Sequence, residues 1–523
     1  MYMRILSFTL ILFTFLKCET PKPQPNFLFI VTDDLGYKDL SATGSEFYET
    51  PNIDRIAFEG TLFSQGYANA SVCSPSRASL LTGLYPTVHG ITDWIGAKYG
   101  TNWRSVGRKT QLLPSDYVKH LPFEMTTLPE VFRAHQYKTF FAGKWHLGSA
   151  EQQSLPTDHG FEINKGGYHR GGPYSGGYFS PFNNPFLEDS PDEKGISLSM
   201  KLARETADFI KSNKEKPFFA YLSFYAVHAP IQTSKEKWLK YQKKAVNQGL
   251  LEEGFSMEKR LPIRIKQDNP VYAGLLEQTD EAVGHVLNTL DALNLDKNTV
   301  VVFVSDNGGV SSGDDYATSN LPLRGGKGYQ WEAGTRIPFF IKAPQMINPV
   351  KKVNTPVTGA DLFPTLLELA NIPNKTPVDG KSLIPLMKDN PFEERPLFWH
   401  YPHYGNQGGD PSAIIRKGEW KLIHYFEDGK NELYHLGKDV GETTNVFDQN
   451  SALGISLKNE LENWLKTTEA KIPEMDPLHN EEEEKEWLLQ HKQKMKLKVE
   501  QRRAFQLDPN YLPNKDWWGS TID

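Results

Sequence analysis

The sequence predicts an α/β layered domain with a large, mostly parallel sheet, followed by a smaller C-terminal α+β unit with an antiparallel sheet. Three observations point there. Continuous apolar runs alternate with amphipathic segments of helical period over most of the chain. Two of those runs, NFLFIVTDD (26–34) and TVVVFVSDNGG (299–309), end in carboxylates, as buried parallel strands do where ligands collect. Near Pro391 the pattern gives way to short, closely spaced strand-like runs. With 523 residues, 38% of them hydrophobic, the chain can build one large domain and a smaller one, or two to three ordinary ones.

In chain order, residues 1–18 carry an early positive charge and then a short apolar run, which reads as a secretory signal rather than a spanning helix. Cys18 follows directly, where a lipoprotein would carry its acyl chains, although Phe15, Leu16 and Lys17 fit a lipobox poorly. No later stretch is a transmembrane segment. The protein is therefore expected to be exported: periplasmic, secreted or a cell-surface lipoprotein.

After a proline-rich linker, 26–34 reads as a strand, 127–136 as a helix, 138–146 as a strand and 197–213 as a helix. A strand follows at 217–230, a long helix at 271–293, a strand at 299–309, and a last strand–helix pair at 336–344 and 360–370. These make a catalytic domain over 26–390. Residues 391–475 form the α+β subdomain, with short strands at 397–402, 412–426 and 431–436 and a helix at 456–470. The extension 476–523 runs from acidic to basic, the order that suits a solvated helix and its dipole. The loop from Asn164 to Phe186 is rich in Gly, Pro and aromatic residues and reads as a binding surface.

The net charge of −6, with both signs spread along the chain, argues against a nucleic-acid partner and requires any anion site to be local. The two cysteines are Cys18 and Cys73, so the mature chain carries a lone Cys73, to be treated as reactive or modified. Pro75 suits the first turn of a helix, placing Cys73 at its amino end, where N–H groups and the dipole favour negative charge. Arg77 lies one turn along the same face. Asp33, Asp34, Asp306 and Asn307 offer four oxygen donors at strand ends and suit a hard cation such as calcium rather than zinc.

CSPSRASLLTG (73–83) resembles the C-x-P-S-R-x-x-x-L-T-G signature of the type I sulfatases, which share the alkaline-phosphatase-like α/β/α sandwich. The resemblance extends over nearly the whole chain, through FLFIVTDDLGYKDL, YKTFFAGKWHLG, FYAVHAP, VVFVSDNGG and LPLRGGKGYQWEAGTRIP. It implies that a formylglycine-generating maturation enzyme oxidises Cys73 to Cα-formylglycine. One hydroxyl of the hydrated aldehyde then attacks sulfur, and the other lets the adduct collapse and expel sulfate. It further implies calcium held by Asp33, Asp34, Asp306, Asn307 and the modified Cys73, with Arg77 orienting the hydrate. Lys144 and Lys327 would bind sulfate, His146 the aldehyde hydroxyl, and His228 the sulfate and the leaving oxygen as its acid. Two departures, Ala333 for a commoner glycine and VTDD for ADD, bear on packing rather than on a ligand.

The substrate implied is a sulfated carbohydrate, such as an algal polysaccharide or oligosaccharide. Tyr168, Tyr174, Tyr178 and Phe179 are candidates to stack on sugar rings, His169 and Arg170 to bind acidic groups, and His400, His403 and His424 to border the pocket. Two alternatives stay open. One is a phosphonate or phosphate ester hydrolase of the same fold; the other is a non-catalytic glycan-binding protein, if Cys73 is left unmodified.

Overall fold

The computed structural model describes residues 24–173, 176–250, 252–346, 349 and 351–511. The leader, Cys18 and Tyr174 lie outside the described residues.

Among the described residues eight strands form the central sheet: β1 (Asn26–Thr32), β2 (Thr61–Phe63), β3 (Lys138–Gly143), β4 (Ile163–Lys165), β5 (Phe218–Ser223), β6 (Thr299–Ser305), β7 (Phe339–Lys342) and β8 (Lys352–Val353). Their spatial order is β8-β2-β7-β6-β1-β5-β3-β4. The five from β6 to β4 are parallel, and β7 runs antiparallel between β6 and β2.

Every residue of β1 is buried, which is why its sequence is apolar without alternation. Leu28 and Ile30 enter one core; Phe27, Phe29 and Val31 enter another on the opposite face. Helices α1 (Pro51–Glu59), α4 (Leu198–Ser212), α5 (Lys235–Asn247) and α6 (Pro270–Ala292) supply apolar faces to the first. Helices α2 (Cys73–Thr82), α3 (Leu128–Ala134) and α7 (Leu362–Leu369) cover the second. The expected three-layer sandwich is what forms.

Register places the site. Thr32 pairs with Ser305 across β1 and β6, so Asp33 and Asp306 leave the sheet side by side. Ser223 of β5 is in register with both Val31 and Gly143, which brings Lys144 to the same edge. Four adjacent parallel strands thus deliver their carboxyl ends to one crevice.

The second sheet has strands β9 (Leu397–Tyr401), β10 (Ser412–Lys417), β11 (Trp420–Tyr425) and β12 (Asn431–His435), antiparallel in sequence order. Helix α8 (Ser451–Thr467) packs Leu457 and Leu461 on one face of it, and Tyr67, Tyr329 and Trp331 cover the other. Helix α9 (Glu481–Leu507) differs from the solvated helix expected: one face is docked. Val499 packs with Phe255 and Tyr316, Arg503 pairs with the buried Asp268 at 2.8 Å, and Arg260 reaches Glu484 at 2.9 Å. Much of that contact is with a hairpin, Phe255–Glu258 and Leu261–Arg264, which the sequence reading did not anticipate. Among the described residues no helix is long and apolar enough to cross a membrane.

Candidate active site

Cys73 is the first residue of α2, and Gly83 ends that helix in the left-handed conformation (φ 71°) that lets the chain turn away. No side chain caps the amino end of the helix, which Cys73 opens. All of α2 is buried. Ser74 fixes it by donating to the His146 carbonyl (3.0 Å) and accepting from the Ile95 N–H (3.0 Å).

Around Cys73 the structure brings together each residue that the signature and strand ends nominate. The Cys73 Sγ lies 3.6 Å from Asp33 Oδ1. Arg77 donates from Nε to Asp306 (2.7 Å) and from Nη1 to the Lys144 carbonyl (2.8 Å) and Ser223 Oγ (2.7 Å). Lys144 Nζ donates to Asp33 at 2.6 Å, and Lys327 Nζ to Asp34 at 2.8 Å. Asn307 donates to Asp34 at 2.8 Å, and the Asp34 N–H donates to Asp306 at 3.2 Å. His228 Nδ1 donates to the Ala229 carbonyl (2.6 Å), which leaves Nε2 facing Asp34 at 3.7 Å. His146 Nε2 bonds the Ile95 carbonyl at 3.1 Å. Asp34 (φ 64°) and His146 (φ 56°) both hold left-handed backbone, an outlier conformation that clusters at functional sites.

Three carboxylates and three cations meet here out of water, and their titration reflects it. Burial, opposed by Lys144 and reinforced by Asp306 and Asp34, raises the Asp33 pKa. Burial acts the same way on Asp34, but Lys327, His228 and Lys144 outweigh it and hold its carboxyl below the usual range. Burial pushes the Cys73 thiol up. Burial and the Lys327 ammonium bring His228 down to about 4, and burial with Lys144 holds His146 well below its ordinary value. A thiol so raised is a poor nucleophile at neutral pH.

The oxygen-rich group fits a hard cation. Ligand atoms of Asp33, Asp34, Cys73 and His228 lie within 4.8 Å of one another, and Asn307 Oδ1 is buried without a hydrogen-bond partner. Each carboxylate among the metal ligands the resemblance implied has a cationic partner: Asp306 has Arg77, Asp33 has Lys144 and, at 3.9 Å, Arg77, and Asp34 has Lys327. His228 stands in that cluster beside them.

A cleft of 310 Å³ opens over Cys73, with His146, His228 and Lys327 on its walls. Lys144 is fully buried beneath, on Asp33. Gly326 and Gly328, which flank Lys327, make their close approaches to the Gly309 carbonyl and to Gln407. His169 and Arg170 line the cleft and are exposed. Tyr178 and Phe179 correct the expectation of sugar stacking: they are 1% and 4% exposed, in the core. The Tyr178 hydroxyl donates to the Tyr225 and His228 carbonyls, so it anchors the loop to the turn that carries His228. Tyr168 is also buried, edge-on to His169. His400, His403 and His424 bond the Lys471 carbonyl, Thr92 and Asn431, and none lines the cleft. The small sheet contributes Asn406 and Gln407 instead, from the glycine-rich turn YGNQGGD between β9 and β10. Trp94, Ile95 and Asp314 complete the walls; sequence reasoning missed all five, and that glycine-rich turn was the one available signal.

Comparison with known proteins agrees with this geometry. The sulfatase family model matches residues 25–372, and the model of the N-sulphoglucosamine sulphohydrolase C-terminal region matches 326–471. A sulfatase of Formosa agariphila is 31% identical over 84% of this chain and 89% of its own. The human N-acetylgalactosamine-6-sulfatase is 30% identical over 82% and 76%. Among solved structures, Ps i-CgsB in complex with k-i-k-neocarrahexaose superposes with a TM-score of 0.68 at 27% identity, covering 89% of this chain and 97% of the other. A phosphonate monoester hydrolase of Agrobacterium radiobacter shares the fold at 19% identity and a TM-score of 0.60. The chain belongs to the sulfatase family and is a sulfuric ester hydrolase.

Proposed function

We propose that this enzyme is exported and hydrolyses sulfate esters on a carbohydrate, a sulfated polysaccharide or oligosaccharide, using a formylglycine made from Cys73 and a calcium ion. The observation that carries the reading is Cys73 at the head of α2, at the floor of a cleft and 3.6 Å from Asp33. The names of relatives and neighbours that act on sulfated glycans support the substrate class, and the leader supports export.

Asp33, Asp34, Asp306 and Asn307, with Cys73 or its modified form, would hold calcium, and Arg77 braces Asp306 from the side. When bound, the ion supplies positive charge that lowers a hydroxyl pKa and gathers sulfate oxygens. The hydrated aldehyde supplies a nucleophile and a second hydroxyl that lets the enzyme turn over. The remaining work belongs to this chain's side chains. Arg77 fixes the Asp306 carboxylate and the Lys144 carbonyl, so the ligand set is preorganised. Lys327 reaches the cleft and is the cation for sulfate oxygens there, with Lys144 behind it. His228 presents Nε2 to the cleft, and in its protonated form it would donate a proton to the leaving sugar oxygen, a poor leaving group otherwise.

The test is the mass of the tryptic peptide Ile56–Arg77 from protein coexpressed with a maturation enzyme, together with sulfate release from p-nitrophenyl sulfate and from sulfated oligosaccharides. A peptide lighter by nearly one water, with release lost in Cys73→Ala, is the expected result. Full activity with an intact thiol would sink the formylglycine reading. Release of phosphonate but never of sulfate would move the enzyme to the other esterases of this fold.

A further inference from the structure

Beside the catalytic cleft lies a second cavity, of 250 Å³, that shares Asp314 and Asn406 with it as a common wall. Its far side is α9, a helix beyond both matched family models, which end at residues 372 and 471. Trp487, His491 and Met495 are spaced four apart and face the cavity together. The Trp487 and His491 rings stack on each other, 4.6 Å apart with planes 13° from parallel, so His491 braces the indole as one flat aromatic wall of the kind that sugar rings stack on.

Across the cavity stands Arg108. It donates to the Gly405 carbonyl (2.8 Å) and the Asn406 carbonyl (3.2 Å), which are neutral acceptors. Among the described residues no carboxylate lies within ion-pair distance of it. Arg260, its neighbour, is by contrast committed to Asp410, Glu427 and Glu484 at 2.9 to 3.0 Å. A half-buried guanidinium without a counter-ion, opposite an aromatic platform and next door to a sulfate-ester site, suits a second anionic sugar.

We propose that this cavity is a second sugar subsite: α9 supplies an aromatic wall through Trp487, braced by His491, and Arg108 takes the sulfate or carboxylate of the residue next to the one being desulfated. The enzyme therefore reads at least two consecutive residues of a polyanionic chain. This rests on the carbohydrate reading above, and the experiment separates the two.

Binding to the Cys73→Ala protein is titrated with k-i-k-neocarrahexaose and with hexasaccharides of chondroitin 6-sulfate and heparin, each against its own disaccharide. At least one hexasaccharide is expected to bind more tightly than its disaccharide by about tenfold, the effect of one well-packed aromatic anchor. Trp487→Ala should abolish that gain, Trp487→Tyr should restore part of it, and Leu489→Ala, at a residue 62% exposed, should leave it intact. Equal binding of hexasaccharide and disaccharide throughout, binding of neither, or a gain that survives Trp487→Ala overturns the subsite. Hydrolysis of p-nitrophenyl sulfate by the unsubstituted enzyme is measured alongside. Hydrolysis without a length-dependent gain refutes the subsite alone, whereas a Trp487-dependent gain without any sulfate release refutes the catalytic reading alone.

Discussion

A guanidinium presents its donors in a fixed plane, and Arg77 uses that plane to hold three strand ends at once: Asp306 after β6, the Lys144 carbonyl after β3 and Ser223 at the end of β5. A lysine ammonium could satisfy one of those partners and would leave the buried Asp306 carboxylate short of charge. Arg77→Lys is therefore expected to lower stability by about 3 kcal/mol, the scale for breaking a buried pair. It should also cut kcat/KM on p-nitrophenyl sulfate by about a hundredfold, since a positioned electrostatic group is lost. An unchanged thermal midpoint in calorimetry would show that Arg77 is not what holds the strand ends. The same crowd of oxygens makes a prediction about metal. Asn307 Oδ1 is buried and unpartnered, and Asp33 and Asp34 stand beside it. Dialysis against EDTA should abolish sulfate release and lower the thermal midpoint, and calcium should restore both. Restoration by zinc and not by calcium would mean that His228 dominates the site.

The strand-to-loop exits set the geometry of these residues, and β3 shows how narrow the tolerance is. Gly143 closes β3 at φ 106°, and a Cβ there would sit 1.7 Å from the Ser223 carbonyl oxygen. Neither backbone can yield without moving Lys144 or the β5 end. Gly143→Ala is expected to cost several kcal/mol, roughly 3 or more, and to lower both the thermal midpoint and the soluble yield. Gly107→Ala, also at positive φ (77°) but with open space around it, should cost about 1 kcal/mol. Equal thermal midpoints for the two variants would contradict this. Elements of this kind also show what the sequence could say. β1 and β6 were readable because both faces are buried, which forces an unbroken apolar run, and the carboxylates closing them mark the edge where the site forms. The hairpin over 255–264 was not readable: FSMEKRLPIR has four charges and a proline, and its partner, α9, is remote in sequence. Nor were Tyr178 and Phe179, because a Gly–Pro–aromatic loop has one composition whether its rings face solvent or pin it to the core. In α9 the signal was present, as Trp487, His491, Met495 and Val499 at intervals of four, but it is thin among the lysines and glutamates on every other face.

Across the whole molecule, buried ionisable groups of opposite tendency set how the fold responds to acid. His89 is held by burial at about 3, His159 and His400 at about 4, and His403 well below its ordinary value. A histidine depressed in the folded state contributes stability that is present above its unfolded value of about 6.5 and is lost as pH falls towards the folded one. Burial acts in reverse on four carboxylates, raising Asp39 and Asp280 to about 6 and Asp93 and Glu442 to about 7. A carboxylate raised in the folded state contributes stability that is full below its unfolded value of about 4 and is lost as pH rises to the folded one. Between about pH 6 and pH 5 the two sets titrate in opposite directions, so the carboxylates offset much of the fall in thermal midpoint that the histidines alone would give. Between about pH 5 and pH 4 the carboxylates become protonated in both states and drop out while the histidines continue, so stability should fall more steeply there, and below pH 4 His89 and His403 carry the loss on. Asp93→Asn removes one opposing titration. In that variant stability should decline through pH 6 to 5 by about 1.4 kcal/mol per unit more than in the unsubstituted protein. Calorimetric midpoints of both proteins at half-unit steps of pH decide the matter: parallel curves would mean that Asp93 ionises as freely in the fold as it does in water.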